Sequence, residues 1–312
     1  MTTAATVPIT RDELEGDEAW ETLRVSARRH LLRDTLARFR AADGFSHSRA
    51  LAFQFALTLL PALIAVVGVA EVVDEDRLRN VVQETINQVA PGAVGSLLTQ
   101  ALRQGSTAAH ETGELAVAGG LMAALISGTT AMAQVERAAN RIYGVERDRP
   151  LLRKYAVAVL LCCSAGVLAL SAFVVLVGGT AVREAIGLGR TFDTLWGIGR
   201  WPLGLLLVVT AISLLFEQSP RRTQPEASWL AFGAAVSTAL WLVFMGGLKL
   251  FVEVSNNFGA TYGPLAGTIG VLLWTFLSSL ALFLGLAFAA QLEAVRAGVP
   301  EPRVDREENH PG

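Results

Sequence analysis

Charge is scarce in this sequence: only 17% of its 312 residues are Asp, Glu, Lys or Arg, against about a quarter in an ordinary soluble domain. There is no basic excess either, since the net charge is −2, and a nucleic-acid binder would carry a basic footprint. The only two cysteines, Cys162 and Cys163, are adjacent and lie inside an apolar run, so they offer neither a disulfide framework nor a metal set. Four histidines, His30, His47, His110 and His310, are far apart, and no HExxH, GxSxG or phosphate-binding loop occurs. These absences give no basis for hydrolytic or cofactor chemistry, and no cofactor or metal is expected. The first 49 residues hold no apolar core of the kind a cleaved secretory peptide needs, so the first apolar run is expected to target the chain.

What is abundant is apolar residue, at 52%, and it is gathered into long runs. A helix crossing a ~30 Å hydrocarbon core needs ~20 such residues. Six segments reach or approach that length: Ala50–Val73, Leu115–Val135, Tyr155–Val182, Trp201–Phe216, Trp229–Phe251 and Pro264–Leu292. Their length and their lack of apolar/polar alternation predict helices rather than a barrel. The fold class is therefore an all-α polytopic membrane bundle. Residues 1–49 form an N-terminal segment, 50–292 the six-helix membrane domain with an outer loop at 74–114, and 293–312 a disordered tail. Nineteen Lys and Arg fall on the side of the termini and the second and fourth connections, against six on the other. That bias places both termini in the cytoplasm and the chain in the inner membrane.

Residues 20–41 read as a basic amphipathic helix, with Leu31, Leu32, Leu36 and Phe39 at helical spacing. Such a helix either lies on an anionic leaflet or packs on the connecting loops. In the outer loop, 76–89 and 93–103 look helical, with Pro91-Gly92 between them.

Polar residues within or beside the spans are the candidates for a substrate path. Gln54, Thr58 and Pro61 share one face of the first span, where proline can kink the helix. Glu136, Arg137, Asn140 and Arg141 sit at the end of the second, where the three charges are expected to form a paired cluster. Lys249 and Glu253 are four apart near the end of the fifth. Tyr262, Gly263 and Gly267 lie in a run with glycines at 259, 263 and 267, readable as a broken helix or as a loop before a proline-initiated one. Ala116, Gly120, Ala124 and Gly128 make a small-residue row on the second span, and the glycines of the sixth are expected to pack against it.

Three stretches resemble one family. Ala50-Leu51-Ala52 through Thr58-Leu59-Leu60-Pro61 is similar to the first-span signature of the YihY/BrkB family, with Phe53-Gln54 where tyrosines are usual. Glu136-Arg137-Ala138-Ala139-Asn140-Arg141-Ile142-Tyr143-Gly144 resembles its ERALNRIYG run. Tyr262-Gly263-Pro264-Leu265-Ala266-Gly267, Leu273-Trp274 and Ala290-Gln291-Leu292-Glu293 resemble its last span, with Gln291 where Asn is common. The resemblance implies a six-span inner-membrane protein that moves a small polar or lipid-linked solute; the alternative is a scaffold that organises envelope partners. Membrane lipids are the expected partners and nucleic acid is not. The ribonuclease name once attached to that family has no counterpart in these residues. A polar cavity near Gln54, Glu136 and Tyr262 would favour transport, and a solidly packed bundle would favour the scaffold.

Overall fold

The computed structural model describes residues 2–10, 14–25, 28–72, 99–100, 103, 114–177, 190–254 and 265–305. Two helices, α1 (Gly16–Val25) and α2 (Arg28–Ala41), precede six long ones: α3 (Gly44–Val72), α4 (Glu114–Ile142), α5 (Leu151–Val177), α6 (Arg190–Gln218), α7 (Ala227–Val254) and α8 (Leu265–Arg296). Each long helix covers one expected span. Among the described residues, α4 to α8 are each long and apolar enough to cross a membrane. α3, an apolar helix that also carries Arg49, Gln54 and Thr58, fills the remaining place in the bundle.

The six pack as a closed ring in which α3 touches α4, α4 touches α5, and so on through α6, α7 and α8 back to α3. Both described termini, the α4–α5 connection and the α6–α7 connection gather at one end, called here the basic end for its arginines. An even number of spans requires this, because each pair of helices returns the chain to its starting side. At the basic end α8 is enclosed: ten consecutive residues, Gly285 to Ala294, are buried, so no face of the helix is open. Nearer the other end, Leu265, Thr268, Ile269 and Leu272 are exposed.

Several expectations change. The fourth helix begins at Arg190 rather than at Trp201, so Arg200 lies within it, its guanidinium 5.6 Å from the Trp201 ring. Residues 297–305 of the tail are ordered: β2 (Arg303–Asp305) pairs antiparallel with β1 (Thr2–Ala4), Thr3 opposite Val304. Strand pairing with the opposite terminus supplies the hydrogen bonds that its Pro- and Glu-rich composition does not suggest. The basic segment 20–41 is two helices. Leu31, Thr35, Arg38 and Phe39 of α2 are buried, with α2 packed on α8, while Leu32 and Leu36 stay exposed. The second helix's small residues meet α3 and not chiefly α8; Gly128 faces Thr58 and Cys162. The closest crossing of α8 is with α7, at Gly285 and Gly233. The outer-loop helices at 76–89 and 93–103 lie almost wholly outside the described residues.

Gly144 ends α4 with a positive φ of 70°, and the Val145 amide donates to Asn140 O at 2.8 Å. This is a left-handed helix stop that favours glycine. A side chain there would also collide with the Thr6 backbone.

Candidate functional site

Two buried acids organise the basic end, and each faces an arginine brought by the connection that follows a helix pair. Glu136, on the last turns of α4, is fully buried with Arg149 Nη1 3.3 Å away. The same guanidinium donates to Ser219 O at 2.7 Å, Pro220 O at 2.9 Å and Gln218 O at 3.1 Å, so it also neutralises the carbonyl end of α6. Glu293, on the last turns of α8, is ion-paired with Arg222 from the α6–α7 connection. Arg222 lies 4.7 Å from the Tyr143 ring centroid in a cation–π contact.

Two buried side chains bind these parts together. Asn140 donates to Asp148 Oδ1 at 3.0 Å and accepts from the Arg221 amide at 2.7 Å, joining both connections to α4. Arg38 of α2, also fully buried, donates to Gln291 Oε1 at 2.7 Å, Ala5 O at 2.7 Å and Ile142 O at 3.3 Å. Gln291 in turn donates to Pro300 O at 2.7 Å. Burial pulls the Arg38 pKa down to about 10, so it stays charged at neutral pH. Burial, with the Glu293 carboxylate, pushes the Tyr143 phenol up. Burial also pushes Asp148 up, but hydrogen bonds from Asn140 and Lys154 outweigh it and leave its carboxyl below its ordinary value.

Of the charged trio expected at the end of α4, only Glu136 is buried; Arg137 and Arg141 lie on the opposite face and reach solvent. Helical geometry explains the correction, because Arg149 arrives from the connection while Arg137 and Arg141 point away. Gln54 Oε1 accepts from Thr130 Oγ1 at 3.1 Å, and Thr58 Oγ1 donates to Gln54 O at 2.8 Å, so this polar face joins α3 to α4. Pro61 sits inside α3 without ending it. Lys249 is exposed on α7. Glu253 is helical, its side chain outside the described set, and Tyr262 and Gly263 lie outside the described residues. Gly267 is buried in the first turn of α8. Among the described residues, a shallow groove of about 730 Å³ runs along α5 past Leu160, Cys163 and Val167; its lining is apolar, as befits a lipid-facing surface.

Sequence reading missed Arg38, Arg149 and Arg222. The signal for their partners is a repeated run, Ala133-Gln134-Val135-Glu136 and Ala290-Gln291-Leu292-Glu293. In both, the Gln contacts the N-terminal segment (His47 at 3.1 Å, Arg38 at 2.7 Å) and the Glu meets an arginine from a connection at the basic end.

His47 lies on the overhang of α3, before Ala50. Burial lowers its pKa from the ordinary 6.5, assisted by Arg141 and Arg137. A depressed folded value means its contribution to stability is full above pH ~6.5 and lost as pH falls through the folded value. Thermal stability in detergent should therefore fall between pH 7 and pH 5, and His47→Gln should flatten that slope. An unchanged slope would dismiss His47 as its source.

Comparison with known proteins follows the same residues. The Virulence factor BrkB family model matches residues 35–309. The ribonuclease-like protein YfkH of Bacillus subtilis (strain 168) is 26% identical over 81% of this chain and 92% of its own length. The UPF0761 membrane proteins of Azoarcus sp. (strain BH72) and Chromohalobacter salexigens are each 28% identical, over 85% and 88% of this chain. The chain spans 64% and 65% of those two proteins, which are longer. No solved structure matches. With the match covering all six long helices and both buried acids, this chain belongs to the BrkB family of membrane proteins.

Proposed function

We propose that this protein is an inner-membrane translocator for a small polar or lipid-linked solute, held closed at its cytoplasmic end by the two buried ion pairs. The observation that carries the reading is the enclosure of Glu136 and Glu293, each 1% exposed or less, at one end of a ring of helices. Ionisable groups removed from water are costly, and replacing such a pair by apolar packing is often neutral or better for stability. Their presence supports a role other than holding the fold. Each pair joins a long helix to a connection, so breaking one would let that end of the ring separate. Among the described residues neither acid is paired with a nucleophile or a second carboxylate, which supports transport over hydrolysis.

The reading puts both termini in the cytoplasm. With Cys162 and Cys163 replaced by alanine, a cysteine at the exposed positions 137 or 141 should react with an impermeant maleimide only after the membrane is opened. Labelling of intact cells would reverse the orientation. The activity is tested by reconstitution into liposomes carrying a fluorescent phospholipid or a trapped polar dye. Protein-containing vesicles should move a probe faster than protein-free ones. Equal rates for both probe classes would leave the scaffold as the function, a reading favoured by the use of Gln54 in a helix–helix hydrogen bond.

A further inference from the structure

Arg38 is a buried cation that meets only neutral partners: Gln291 Oε1 and the backbone oxygens of Ala5, Ile142 and Glu301. Among the described residues no carboxylate comes within ion-pairing distance of it. The neighbouring Arg222 and Glu293 cancel each other, so these three groups hold one unbalanced positive charge where water is excluded. A buried charge surrounded by dipoles alone is costly, and an anion is its ordinary remedy.

Polar atoms with nothing to bond lie beside it. Tyr143 Oη, Glu293 Oε2 and both side-chain polar atoms of Gln224 are buried and make no well-formed hydrogen bond among the described residues. Gln224 and the Tyr143 hydroxyl approach each other in a loose side-chain hydrogen bond, which offsets part of the rise that burial gives the phenol. Buried donors without acceptors are rare in a finished core and call for a specific cause.

Three of the eight acceptors that the two arginines have among the described residues come from one short segment. Ala5 O serves Arg38, and Val7 O and Pro8 O serve Arg222, at 3.4 and 3.3 Å. All three are main-chain carbonyls, so their side chains are not what is recognised, and another oxygen-rich group could take their places. This segment lies outside the family match at 35–309, whereas Arg38, Tyr143, Arg222, Gln224 and Glu293 lie inside it.

We propose that Ala5–Pro8 is an exchangeable strap over a phosphate-binding site whose donors are Arg38, Arg222, Tyr143 and Gln224. Phosphate oxygens match the planar donor fork of arginine better than single carbonyls do. Glu293 limits the site to one net negative charge, which a phosphodiester or singly ionised phosphate provides. The proposal concerns the same end of the ring as the translocator reading but needs no flux, so binding can succeed or fail independently of transport.

The test is hydrogen–deuterium exchange of residues 2–9 in the intact chain, where the Val7 amide donates to Tyr143 O and the Ala5 amide to Pro302 O. One arm adds inorganic phosphate to protein in uncharged detergent. The other compares phosphatidylglycerol nanodiscs with nanodiscs of a phosphate-free galactolipid. Exchange should rise at least threefold in one arm or both, and Arg38→Gln should abolish the rise. A response to phosphatidylglycerol alone assigns the site to a lipid headgroup; a response to inorganic phosphate assigns it to soluble phosphate. No response in either arm, or one that survives Arg38→Gln, overturns the proposal. Should Arg38→Gln fail to fold, a chain lacking residues 2–9 gives a second measurement: it should bind radiolabelled phosphate or phosphatidylglycerol at least tenfold more tightly than the full chain. Equal binding overturns the proposal as well.

Discussion

Gly285→Leu should abolish assembly of the bundle, and Gly285→Ala should already destabilise it at the upper end of the ~1–3 kcal/mol typical of overpacking. A Cβ at 285 would stand 2.5 Å from Gly233 O and 2.8 Å from the Ser237 amide nitrogen, both backbone atoms of α7 that cannot rotate aside. The relation is mutual, since a Cβ at 233 would stand 2.8 Å from Gly285 O and 2.7 Å from Ala289 Cβ. Lipid supplies no hydrophobic force between helices, so this close approach and the Trp241 Nε1 to Ser278 Oγ hydrogen bond at 3.0 Å hold the α7–α8 seam. The measurement is thermal unfolding in detergent, with Gly119→Ala as control because nothing lies within 4 Å of its Cβ position. Equal melting temperatures for Gly285→Ala and Gly119→Ala would mean that the seam is not tightly packed.

The Gly285–Gly233 crossing is a contact that the sequence did not mark, whereas the helices themselves were legible. Run lengths of apolar residues locate all six helices, because the thickness of the bilayer sets a length that composition must meet. Which helix meets which is not written in small-residue spacing. Rows of Gly and Ala at intervals of four occur on several helices, and the row on α4 went to α3 while α8 chose α7. The buried site was half legible. Its acids stand out as charges at the ends of apolar runs, and the repeated Gln-x-Glu pattern marks both. Its arginines were hidden by number, since eight occur before residue 50. Arg38 differs from the others by lying on the stripe Leu31, Thr35, Arg38, Ala42, which is buried throughout. An arginine on the buried stripe of a helix could have been picked out, but the exposed Leu32 and Leu36 drew the amphipathic face toward the wrong side. The ordered tail was illegible, because strand pairing between termini depends on backbone groups some 300 residues apart.

Arg222→Met should cost ~3–5 kcal/mol, and adding Glu293→Gln should recover most of it. The single change strands a carboxylate that is 0% exposed on its side chain, with no water to replace the lost partner. It also removes the contact over Tyr143, a smaller loss of ~0.5–2 kcal/mol. The second change removes the stranded charge, leaving a neutral amide in the same volume, so the double variant should be more stable than Arg222→Met alone. An exposed pair cannot behave this way. Arg296 and Glu18, 36% and 30% exposed and 2.8 Å apart, keep their water when separated, so Arg296→Met should cost no more than ~1 kcal/mol. Unfolding in detergent, read for the three variants side by side, checks the ordering. If Glu293→Gln worsens Arg222→Met, the carboxylate is held by something other than the arginine. The Glu136–Arg149 pair extends the argument, since it occupies the matching place at the end of α4. Arg149→Met should be rescued in part by Glu136→Gln in the same manner; the remainder is the backbone oxygens each arginine leaves behind, the last carbonyls of α6 for Arg149 and Val7 O and Pro8 O for Arg222.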